Sequence, residues 1–111
     1  MQMEKKVEVS ILCELYGKLL TDKQFIFMDD YYNNDLSLSE IAENNGITRQ
    51  AVRDIIGKTE KRLYDIENKL GFMNKNEKLE KEIKNIITII DNSKDDRKTM
   101  EEIKKRLNVL I

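Results

Sequence analysis

The sequence predicts an all-α fold: a helix-turn-helix domain carrying a C-terminal helical extension. Its 111 residues hold no proline and four glycines, 37% are charged, and apolar residues recur every three or four positions. Strands would have to compete with strong helical propensity almost everywhere. The length suits one main domain, residues 1–73, with room for an arm, residues 74–111.

The first helix is expected over residues 4–20, where Val7, Ile11, Leu15 and Leu19 stand four apart with Leu12 and Tyr16 beside them. Cys13 sits among these apolar residues and reads as packing, because a lone cysteine forms no internal disulfide. Thr21 and Gln24 have the spacing of a capping box, which satisfies two free amides at a helix start. A second helix follows to Tyr32, with Phe25, Met28 and Tyr32 as its core stripe. Asn33-Asn34-Asp35 is a turn cluster, and Ser37 with Glu40 is a second capping box, stapled by Leu36 and Ile41. The third helix therefore starts at Leu38 and stops at Asn44-Asn45-Gly46, residues that tolerate the left-handed conformation.

Thr48 can cap a fourth helix running from Arg49 to Leu70 and ended by Gly71, about 33 Å at a rise of 1.5 Å per residue. Ile55, Ile56, Leu63, Ile66 and Leu70 exceed what a short recognition helix needs, so its rear half must pack on helix one or on a second subunit. Phe72 to Asn76 reads as a linker. Beyond it Leu79, Ile83, Ile86 and Ile90, then Met100, Ile103, Leu107 and Leu110, keep heptad-like spacing on either side of residues 91–95. Both a helical hairpin packed on its own domain and a dimerisation or partner-binding arm fit that pattern. The surplus of apolar stripes predicts a homodimer.

Charge and residue chemistry narrow the function. Without histidine, a general base near neutral pH would have to be a strongly shifted carboxylate, lysine or the lone cysteine. Asp29 and Asp30 are adjacent and do not face one another on a helix, and neither a Cys/His metal cluster nor a glycine-rich phosphate loop occurs. The expectation is a protein that is no enzyme and uses no cofactor. Charges within the first ten residues and the lack of a long apolar run predict a cytoplasmic protein with no membrane insertion. A net charge of −1 and a pI near 5.6 count against indiscriminate binding of nucleic acid. The charge is nevertheless uneven, with −5 over residues 21–47 and +3 over residues 48–62.

That positive segment belongs to a candidate helix-turn-helix, Leu36 to Gly57. Ala42 allows close approach of its two helices, Gly46 the sharp turn, and Ile41, Ile47, Val52 and Ile55 supply the inner face. Thr48, Arg49, Gln50 and Arg53 are left on the outer face at the start of helix four, where groove contacts are made. Arginine can fork onto guanine and glutamine onto adenine. Lys58, Lys61 and Arg62 follow as candidate phosphate contacts, or as a solvated charged face. Asp54 is a poor neighbour for a phosphate.

The sequence resembles the YlxM family of helix-turn-helix proteins, related to the fourth region of sigma factors. The likeness covers roughly residues 4–73 and rests on Leu20-Thr21, Lys23-Gln24, Met28, Tyr31-Tyr32, Asp35, Ser37-Leu38, Glu40-Ile41-Ala42, Thr48-Arg49-Gln50-Ala51-Val52, Asp54, Thr59-Glu60, Glu67 and Lys69-Leu70. Arg53, where an aromatic or neutral residue is expected, and Gly57, where a basic one is, depart from the pattern. The resemblance implies a cytoplasmic bacterial protein that serves the signal recognition particle pathway as a regulator or accessory component. DNA, the particle's RNA or its GTPase are the partners implied. Residues 74–111 carry no family role.

Overall fold

Most helix starts in the computed structural model, though not the first, coincide with side chains that take the first free amides. The structure describes residues 3–93 and 96–110. Among them run α1 (Lys5–Tyr16), a 3-10 turn (Gly17–Leu19), α2 (Asp22–Tyr32), α3 (Leu38–Asn45), α4 (Arg49–Leu70), α5 (Phe72–Asp91) and α6 (Arg97–Val109), with no strand. Both expected capping boxes form: the Thr21 hydroxyl accepts from Gln24 N at 3.1 Å, the Ser37 hydroxyl from Glu40 N at 3.0 Å, and each N3 side chain returns to the cap amide. Thr48 caps α4 by accepting from Ala51 N at 3.1 Å. Gly46 ends α3 at φ 64°, a left-handed conformation in which a side chain would clash with its own backbone.

The chain divides into two units between Met73 and Asn74. In the first, α1, α2 and α4 pack on one another, and α3 lies against α2 and α4. The buried centre is Val9, Leu12, Phe27, Met28, Ile41, Val52 and Leu63. Thr59, also buried, donates its hydroxyl to Ile55 O at 2.7 Å, so its polar atom costs nothing in an apolar setting. Burial pushes the Cys13 thiol up to about 11, and the nearby Asp29 and Glu60 carboxylates add to the shift.

Three expectations are corrected. Helix one buries Val9, Leu12, Cys13 and Tyr16, while Val7 and Leu19 are about half exposed at 47% and 52%. A four-residue step drifts by about 40° each time, so the Val7–Leu19 series spirals off the face that a three-four alternation holds. α1 also ends at Tyr16 rather than at residue 20. In α2, Phe27 takes the core place assigned to Phe25. The Phe25 ring lies against Gly17 instead, where an added Cβ would come within 2.9 Å of it.

The third correction concerns residues 72–76, which are helix and not linker. Gly71 turns the chain alone, and two side chains replace the missing cap. Glu67 Oε1 accepts from Met73 N at 2.9 Å, and Tyr16 OH accepts from Phe72 N at 3.3 Å while donating to Glu67 at 2.7 Å.

The second unit is built from α5 and α6. Ile86 and Ile103 are its buried apolar residues, and Arg106 pairs with Glu82 at 3.2 Å and Glu102 at 3.6 Å. Ile83, Ile87, Ile90, Met100 and Leu107 remain exposed. Part of the turn expected over residues 91–95 lies outside the described residues. No helix of the described residues is long and apolar enough to cross a membrane.

The corrected face of α1 is open to test by urea unfolding. Leu12→Ala should cost about 2–5 kcal/mol, the usual range for emptying a filled core site, whereas Val7→Ala should stay within about 0.5 kcal/mol. The reverse order would put the Val7 series back in the core.

Candidate nucleic-acid interface

Burial of one line of side chains fixes how α4 is rotated. Val52, Ile56, Thr59 and Leu63, spaced by four, three and four, face the core. Ile41 and Ala42 of α3 are buried beside them, and Ile47 N donates to Ala42 O at 3.1 Å to close the turn between the two helices. Thr48, Arg49, Gln50 and Arg53 are then exposed, as the helix-turn-helix reading requires. Ile55 is only half-buried, and Ile56 is the deeper residue.

The predicted site residues separate into three groups. Arg49, Arg53 and Lys58 line one cleft of about 770 Å³ with Lys5, Tyr31, Tyr32, Leu38, Asp54 and Glu60. Among the described residues, none of these three cations has a carboxylate within ion-pair distance. Gln50 lies outside the cleft and donates its amide to Asp54 Oδ1 at 2.9 Å, one turn along the exposed face. Lys61 is exposed farther along. Arg62 is on the other flank, where its guanidinium donates to Leu19 O at 2.7 Å and reaches Gln24 Oε1 at 3.4 Å. It ties α4 to the end of the 3-10 turn.

The rear wall of the cleft is a hydrogen-bonded junction. Glu60 accepts from Tyr32 OH and pairs with Lys5 Nζ at 3.3 Å, joining the start of α1 and the end of α2 to α4. Burial, followed by the Glu60 carboxylate, holds the Tyr32 hydroxyl well above the ordinary phenol range, so it stays a donor. Tyr31 packs edge-on against Tyr32, ring centroids 5.0 Å apart and planes at 86°. The helix-turn-helix spacing does not point to Lys5 or Tyr31. Tyr31 is one of the family-resembling residues, yet nothing in its position along the chain ties it to α4, and Lys5 gives no signal at all.

This geometry combines uncompensated cations with an aromatic side chain at the exposed start of a recognition-type helix. It can attract a phosphate, and Gln50 and Asp54 can offer hydrogen bonds to a base edge.

Comparison with known proteins agrees with the helix-turn-helix geometry. Residues 3–106 match the model of a family described as "Putative helix-turn-helix protein, YlxM / p13 like". The chain is similar to a UPF0122 protein of Clostridium kluyveri, 45% identical over 95 residues that cover 86% of each chain. A UPF0122 protein of Clostridium acetobutylicum is 42% identical over 112 residues, covering 96% of this chain and 97% of its own. One from Malacoplasma penetrans is 53% identical over 66 residues, 60% of this chain and 62% of its own. The match runs past residue 73 into the arm, farther than the resemblance read from the sequence.

The placement of Arg62 predicts a structural effect that Lys61 lacks. Arg62→Ala should lower stability in thermal unfolding by about 1 kcal/mol through the lost hydrogen bond to a backbone carbonyl, and Lys61→Ala should leave it unchanged. Equal effects of the two substitutions would return Arg62 to the solvated face.

Proposed function

Because this chain belongs to the YlxM / p13-like helix-turn-helix family, we propose that it is a non-catalytic protein that binds nucleic acid with the exposed start of α4. The observation that carries this reading is the convergence of Arg49, Arg53 and Lys58, all unpaired, on one cleft beside Gln50. Asp54 and Glu60 share that cleft, yet neither lies within ion-pair distance of these three cations, unlike the closed i,i+4 pairs of an ordinary solvated helix face. The reading includes a role in the cytosol as a regulator or accessory of the signal recognition particle pathway. Its support there is the family resemblance, which offers DNA, the particle's RNA and its GTPase as partners.

The reading also includes a homodimer formed through the arm. A unit below about 40 residues ordinarily needs a disulfide, a metal or oligomerisation to hold together, and Cys13 lies in the other unit. Leu79, Ile83, Ile87, Ile90, Met100 and Leu107 keep heptad-like spacing and stay exposed. Residues 74–111 carry ten basic and eight acidic side chains, so a second arm meets little net repulsion. Sedimentation of the full chain at high micromolar concentration should give a dimer, and a chain lacking residues 74–111 a monomer. A full-length monomer, or a dimer that survives the deletion, would contradict the arm as the interface.

Nucleic-acid binding is tested by anisotropy at low salt with DNA duplexes and with the particle's RNA. Arg49→Ala with Gln50→Ala should abolish sequence preference and leave the fold intact. Arg53→Ala with Lys58→Ala should weaken binding to every sequence and flatten its salt dependence, by about one unit of slope for each phosphate no longer neutralised. Wild-type protein that binds neither, yet binds a targeting GTPase, would overturn the reading in favour of a protein-interaction module.

A further inference from the structure

We infer that the cleft beside α4 receives one unpaired nucleotide, its phosphate among Arg49, Arg53 and Lys58 and its base against Tyr31. The inference rests on the nucleic-acid reading and specifies the class of nucleic acid.

The first ground is the composition of the cleft. A groove meant only for a duplex backbone would be lined by cations and neutral donors, because each carboxylate repels phosphate. Here Asp54 and Glu60 share the lining with the three unpaired cations and Lys5. That mixture suits a ligand with both an anionic part and N–H donors, as a nucleotide has in its phosphate and in the edge of its base. At about 770 Å³ the space falls in the range that takes a small organic ligand, about 300–1,000 Å³.

The second ground is Tyr31. Its ring is half-buried and lines two hollows at once: the cleft, and a neighbouring recess of about 490 Å³ lined by Lys5, Lys6, Tyr32, Asp35 and Leu36. Tyr31 is held by edge contact with Tyr32, which is itself fixed through Glu60. A fixed aromatic surface in a cationic surround is the arrangement on which unpaired bases stack. A base inside a duplex is stacked on its neighbours and cannot reach Tyr31, so the cleft selects a strand bearing a bulged or looped-out nucleotide.

The full chain should be titrated against two labelled RNA hairpins of the same stem sequence, one fully paired and one with a single unpaired nucleotide. The bulged hairpin should bind about tenfold more tightly, within the range known for one base stacked on an aromatic side chain. Tyr31→Phe should keep that preference. Tyr31→Leu, which keeps an apolar side chain but has no π face, should lose it. Thermal unfolding of both variants checks that the core is intact. Equal affinity of the wild type for the two hairpins would overturn the inference, and if Arg49→Ala with Gln50→Ala still weakened binding the broader reading would stand. Failure to bind either hairpin or any duplex at low salt would remove both. Displacement of the bulged hairpin by an equimolar free nucleoside monophosphate would make the cleft a small-molecule site and overturn the inference as well.

Discussion

The first unit depends on burial along one side of α4. Val52, Ile56, Thr59 and Leu63 leave almost no accessible surface, and α1, α2 and α3 all contact this helix. Rotating α4 by one residue would bring Arg53 or Lys58 toward the core and expose a complete line of apolar side chains, at a cost of roughly 1.5–3 kcal/mol for each large one. The same constraint that stabilises the core therefore aims Arg49, Arg53 and Lys58 outward. The outward orientation of those side chains is a consequence of packing, and no separate device is needed for it.

Hydrogen bonds along α4 complete the orientation. Near its middle, Glu60 gathers Lys5 and Tyr32, which brings the start of α1 and the end of α2 to the rim of the cleft. Near its end, Glu67 and Tyr16 cap the first amides of α5. Arg62 holds the 3-10 turn from the opposite flank. Most of these side chains are far in sequence from what they hold. Local propensity therefore says nothing about them.

That division explains what could be read from the sequence. Capping boxes, the Asn44-Asn45-Gly46 stop and the bounds of α4 are local chemistry, complete within four or five residues, and the structure reproduces them. The buried face of α1 is not legible in the sequence, because residues 7–20 carry apolar side chains on two adjacent stripes and only the packing of α2 and α4 chooses between them. The start of α5 is hidden for another reason: its amides are capped by Glu67 of α4 and Tyr16 of α1 rather than by a preceding serine or aspartate. Of the candidate site, the residues on α4 follow from the helix-turn-helix spacing. Lys5 and Tyr31 do not, since they reach the cleft through tertiary contacts alone.

An acidic chain can still present a local surplus of cations: residues 21–47 carry a charge of −5, while the cleft beside α4 sets Arg49, Arg53, Lys58 and Lys5 against two carboxylates, Asp54 and Glu60. The most direct measurement of the central claim is the change in backbone amide NMR shifts as a nucleic-acid hairpin is added at low salt. The largest changes should fall on residues 48–58 together with Lys5 and Tyr31, and fade as salt is raised. Changes gathered instead around Leu19, Gln24 and Arg62, or on the arm with none on α4, would contradict it.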